Sequence, residues 1–121
     1  MNIEPYKEFL ETIENEAKEY CSIIENKQLV SLSLYFWSFE EVMKSLKLRK
    51  DWEVDENLIP FYGDWHDLYC IETETGKVLY INDKREVICE WLDTNSFKRS
   101  LSKEEVPSKG AKGIVSAKFD F

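Results

Sequence analysis

Hydrophobic residues recur at steps of three and four from the start of the chain: Tyr6, Phe9, Leu10, Ile13, Ala17, Tyr20, Cys21 and Ile24. That period places them on one stripe of an amphipathic helix running from Ile3 to Ile24, the N-terminal element of residues 1–27. Pro5 suits a first helical turn, Glu4 and Glu8 favour the positive end of the macrodipole, and Asn26 reads as the terminator. Between Gln28 and Trp37 the period falls to two. Val30, Leu32, Leu34 and Phe36 alternate with Ser31, Ser33 and Tyr35, the pattern of a strand with one buried face. Ser38 followed three residues on by Glu41 is a capping box, which contributes on the order of 1 kcal/mol to the helix it opens. That helix turns Phe39, Val42, Met43 and Leu46 inward and fails near Arg49, leaving Lys50 to Asn57 as a charged connector.

Residues 58–92 read as an antiparallel β-meander. Leu58 to Phe61 is extended, because Pro60 disfavours helix at Ile59, and Tyr62-Gly63-Asp64 makes a turn. Three strands follow, Asp67 to Thr73, Lys77 to Asn82 and Glu86 to Leu92, joined by Glu74-Thr75-Gly76 and Asp83-Lys84-Arg85. Connections this short force antiparallel neighbours. Thr94 or Asn95 then caps a helix from Ser96 to about Glu104 that buries Phe97 and Leu101. Residues 107–121 form a tail, or an edge strand from Ile114 to Phe121. The 121 residues make one domain with one core, and no apolar run approaches the roughly 20 residues of a membrane span. The N-terminus has neither signal-peptide nor transit-peptide character, so a cytoplasmic location is expected.

The net charge of −8 is unevenly spread, with −11 over residues 1–95 and +3 over residues 96–121. An acidic body repels nucleic-acid phosphates and attracts a basic partner. Solubility alone also accounts for such a charge. Cys21, Cys70 and Cys89 share no metal-binding or redox spacing and read as reduced, buried small hydrophobes.

Little in the chain carries covalent chemistry. His66 is the only histidine, and Asp64 and Asp67 are the only groups near enough in sequence to orient it. No glycine-rich phosphate loop is present and no metal set can be assembled, so no cofactor or metal is expected. A carboxylate pair drawn from Glu72, Glu74, Asp83 and Glu90 keeps a small hydrolase as an alternative. Aromatic density is the other signal. Trp52, Tyr62, Trp65, Tyr69, Tyr80 and Trp91 exceed what one core face absorbs, and aromatics flanked by carboxylates suit a binding surface.

Leu58-Ile59-Pro60-Phe61, Gly63-Asp64, Asp67-Leu68-Tyr69-Cys70-Ile71, Gly76-Lys77-Val78, Asn82-Asp83 and the helical Phe97 together resemble the SUKH superfamily. That group includes yeast cell-wall synthesis regulators and bacterial immunity proteins that neutralise polymorphic toxins. The resemblance covers roughly Ser38 to Leu101. It implies an α+β domain with helices on one face of a mostly antiparallel sheet, and binding to a cognate protein toxin, often a nuclease. The expected surface comprises Asp64, Trp65, His66, Asp67, Glu72, Glu74, Asp83, Glu90 and Trp91. Alanine at Asp64, Trp65 and Asp67 together is expected to weaken binding and leave stability nearly unchanged. A scaffold in cell-envelope or signalling regulation is the alternative on the same fold.

Overall fold

Phe9, Leu10 and Ile13 bury one stripe of the first helix, α1 (Lys7–Glu16), in a computed structural model that describes residues 3–105. Single 3-10 turns flank it at Glu4–Tyr6 and Ala17–Glu19. The helix stops well short of Ile24. Ser22–Glu25 is instead strand β1, paired in an antiparallel hairpin with β2 (Gln28–Ser31). Two local features explain the switch. Ile23 and Ile24 are β-branched, and Asn26-Lys27 adopts φ values of 49° and 69°, the mirror-image turn whose twist matches its flanking strands. Asn26 thus opens a hairpin turn and terminates no helix.

The predicted alternation runs through β2 and persists beyond it without regular strand. Val30, Leu32, Leu34 and Phe36 pack on the core while Ser31, Ser33 and Tyr35 face outward. This extended segment ends in an isolated bridge between Phe36 and Tyr62, and the Trp37 N–H donates to the Phe61 carbonyl at 2.9 Å. Helix α2 (Phe39–Ser45) opens with the expected capping box. The Ser38 hydroxyl accepts from the Glu41 N–H at 3.1 Å, and the Glu41 carboxylate accepts from the Ser38 N–H at 2.8 Å. Val42 faces inward as expected, but Met43 is exposed and Ser45 takes the buried place, its hydroxyl donating to the Val42 carbonyl at 2.6 Å. Arg49 donates to the carbonyls of Leu46, Glu56 and Leu58, which folds the connector back on itself.

Strands β3 (Leu58–Gly63), β4 (Leu68–Glu72), β5 (Val78–Ile81) and β6 (Val87–Trp91) form the antiparallel meander in that order. Asp93, not Thr94 or Asn95, caps helix α3 (Thr94–Ser100), accepting from the Ser96 N–H at 2.8 Å. The helix ends four residues before Glu104, because Leu101–Ser102 becomes strand β7 and pairs with β1. That pairing completes a second sheet, ordered β2–β1–β7.

All three helices feed one core. Phe9, Ile13, Val42 and Phe97 meet Ile59, Phe61, Tyr69, Ile71, Val78 and Trp91 on one face of the meander, giving an α+β fold. The opposite face is also covered: Leu58, Leu68, Cys70, Leu79 and Ile81 pack with Val54 of the connector. Cys70 and Cys89 belong to separate clusters and, with the partly exposed Cys21, are free thiols. No helix among the described residues is long and apolar enough to cross a membrane. The expected tail or edge strand at 107–121 lies outside the described residues.

Candidate partner-binding surface

Turns in a meander alternate between its two ends. The β3–β4 turn, with Asp64, Trp65, His66 and Asp67, therefore shares an end with Asp83 in the β5–β6 turn, while Glu72 and Glu74 sit at the other. Glu72 accepts from the Thr75 hydroxyl at 2.6 Å, and Glu74 accepts from the Asn57 amide at 3.2 Å. Glu90 is taken up by the Lys77 ammonium at 2.9 Å. Trp91 does not belong to any surface. It is 7 % exposed, packs on Tyr69 and Phe97, and its indole N–H donates to the Ile24 carbonyl at 3.3 Å.

The β3–β4 turn is built around Gly63 and Asp64. Gly63 has φ +128°, and a Cβ there would stand 1.9 Å from the Asp67 carbonyl oxygen, so only glycine fits. The Asp64 carboxylate accepts from the backbone N–H groups of His66 and Asp67, both at 3.0 Å. These bonds, that from Asp67 foremost, hold its pKa below the usual 3.8. Asp64 is thus first a turn-forming residue. Trp65 in this turn takes φ 75°, and its half-buried ring packs against the edge of the Leu68–Cys70–Leu79 cluster. That ring stacks on Trp52 at 5.6 Å and 15°, and also touches Trp37 at 5.4 Å. His66 meets the Trp52 ring edge-on at 5.8 Å.

Arg85 ties this end together, and its role was hidden in the sequence. Its guanidinium donates to the Trp65 carbonyl at 2.6 Å, to the Trp52 carbonyl at 2.9 Å and to the Asn82 carbonyl at 3.2 Å. One side chain so fastens the connector, the β3–β4 turn and the β5–β6 turn. Glu53, Trp65 and Arg85 all take positive φ, at 58°, 75° and 63°. Each such residue costs about 1–2 kcal/mol unless its surroundings compensate. Strained backbone gathered beside stacked tryptophans marks a surface held in one shape.

A cleft of about 280 Å³ lies against the stack, between Trp37, Leu48 and Trp65, and one of about 520 Å³ opens over the outer face of the meander, between Val54, Leu79, Ile81 and Arg85. Trp52 is 39 % exposed and Leu48 42 %; the connector and the two turns expose Asp51, Glu53, Asp64, Asp83 and Glu86, and with them Lys50 and Lys84. Asp67 turns the other way, accepting from the Tyr80 hydroxyl at 3.2 Å. Among the described residues no group of three metal-ligating side chains is assembled. No protein-family model, no curated protein and no solved structure matches this chain.

Proposed function

We propose that the chain is a non-enzymatic, SUKH-like protein-binding domain, an immunity protein that neutralises a cognate basic toxin such as a nuclease. The observation that carries this reading is the Trp52–Trp65–His66 stack, locked by Arg85 and neighboured along the chain by exposed carboxylates. Tryptophans dominate binding hot spots, and a surface already fixed in shape loses little entropy on docking. The surrounding carboxylates speed encounter with a cationic active site and penalise acidic competitors. The contact surface is narrower than the sequence suggested: Trp52, Trp65, His66 and Asp83 form it, with Asp64 beneath as support.

The test is affinity capture from cells of the source organism at about 50 and 500 mM salt, a range that strongly changes the screening of surface charge. A captured basic protein is then expressed alone and with this chain. Toxicity relieved by co-expression is expected. Trp52→Ala should weaken the complex at least about tenfold, the loss typical of a hot-spot tryptophan. Alanine at Asp64 is unsuitable, since its carboxylate holds the turn. A neutral or acidic partner indifferent to Trp52→Ala would favour the scaffold reading instead.

A further inference from the structure

The contact surface holds one side chain of the type that changes charge near neutral pH. His66 is the only histidine in the chain, and imidazole ordinarily titrates between pH 5 and 8. The β3–β4 turn presents it without tying it down. Its backbone N–H is held by the Asp64 carboxylate at 3.0 Å, while its side chain is exposed. Neither ring nitrogen makes a hydrogen bond among the described residues, so a proton reaches the ring from solvent with no bond to break. The ring meets that of Trp52 edge-on at 5.8 Å, and Trp52 is itself stacked on Trp65. The imidazole is thus seated against a fixed aromatic pair.

The charges around it come from three segments. Its own turn supplies Asp64, whose pKa is lowered first by the Asp67 N–H and in lesser part by the His66 charge. The same turn supplies Asp67, which accepts from the Tyr80 hydroxyl. The connector that carries Trp52 exposes Lys50, Asp51 and Glu53 beside it in the chain. The β5–β6 turn exposes Asp83 and Lys84, and holds Arg85 against the carbonyls of Trp52 and Trp65. Carboxylates outnumber cations in these segments, so a surface with neutral imidazole favours a cation. A proton on His66 places a positive charge directly beside Trp52.

We infer that His66 is a proton-operated switch on this surface, which accepts a partner's cationic group beside Trp52 when the ring is neutral and repels it when the ring is charged. The two states differ in charge and not in fold, because the exposed ring makes no bond that protonation would break. A partner held at neutral pH is accordingly released in mild acid, as like charges brought together at an interface oppose binding. That the cationic group belongs to a basic protein rests on the function proposed above; the switch itself does not.

The experiment reads the charge beside Trp52 from quenching of tryptophan emission between pH 5.5 and 8, at fixed ionic strength. Caesium stands in for the cationic group, iodide is its anionic counterpart and acrylamide the neutral control. Trp52 is the one exposed tryptophan of four, so surface quenchers read it foremost. As pH falls, caesium quenching should drop and iodide quenching rise along one sigmoid, with acrylamide unchanged. A change of about twofold is expected for one unit charge at this separation in screened water. His66→Gln should hold all three quenching constants flat. No pH dependence in the wild-type protein, a dependence that survives in His66→Gln, or an equal dependence with acrylamide would overturn the inference. A flat profile would sink the switch and leave the protein-binding reading standing. Failure to capture a partner would sink that reading and leave a measured switch in place.

Discussion

Gly63 shows how a single position can decide the shape of a surface it does not itself form. A methyl group at that point would collide with the Asp67 carbonyl, and the φ of +128° is strained for any side chain. Gly63→Ala should therefore destabilise the protein by more than about 1 kcal/mol. A lower denaturant midpoint at unchanged slope would report it. An unchanged midpoint would mean that the turn has an alternative conformation. The turn itself was legible, because Gly63-Asp64 lies between two apolar runs. Arg85 was not. Its acceptors at Trp52 and Trp65 are 33 and 20 residues away, and nothing local to Asp83-Lys84-Arg85 signals them. Trp91 misled for a related reason. Strand alternation sends it inward with Cys89, but aromatic density suggested a contact residue.

The hairpin β1–β2 is the element on which local pattern and tertiary pairing disagreed most. Tyr20, Cys21 and Ile24 continue the helical stripe of Phe9 and Ile13, so periodicity alone extends α1 through them. Pairing of Ile23 with Val30 on one side and Leu101 on the other overrides it. The competing signal was present, in two β-branched residues before Asn26. It was weakened by Lys27, which stands where a glycine would have announced a mirror-image turn. Lys27 adopts φ 69° at a strain cost of about 1–2 kcal/mol. Lys27→Gly should relieve that strain and raise the melting temperature, net of the greater chain entropy glycine brings to the unfolded state. A lower melting temperature would show that the lysine side chain contributes more than its backbone costs. The capping box at Ser38 and the meander strands were readable because their signals are local and agree with their packing.

At the scale of the whole molecule, the resemblance implied helices on one face of the sheet only, and among the described residues the other face carries a second apolar cluster. Leu58, Cys70, Leu79 and Ile81 read as strand-interior residues, but what covers them is the acidic connector through Val54. A connector with so many charges gives no sign that it folds over a sheet. Its folding depends on Arg49 and Arg85, whose guanidinium groups donate to backbone carbonyls. The proposed contact residues Trp52, Trp65, His66 and Asp83 accordingly lie on the connector and the turns.

The buried groups on both faces of the sheet set how stability depends on pH. Tyr62 and Tyr69 are raised above the ordinary phenol value of 10.0, chiefly by burial, and Tyr80 reaches about 12. Cys70 and Cys89 are raised above 9.0 by burial. For a group whose folded pKa is raised, the unfolded chain loses its proton first. The stabilisation is then complete below the unfolded pKa and is lost as pH climbs toward the folded one. Asp64 and Asp93 are lowered below 3.8 by backbone hydrogen bonds, from Asp67 and Ser96 respectively, so their contribution is complete above that value and is lost as pH falls through their folded pKa. Thermal melting should accordingly show a plateau through neutral pH, a fall in acid below about pH 4, and a steeper fall in base above about pH 9. Tyr80→Phe removes one of the titrating phenols and should flatten the alkaline limb while leaving the acid limb alone. An alkaline limb of unchanged slope would mean that Tyr80 titrates as a solvated phenol.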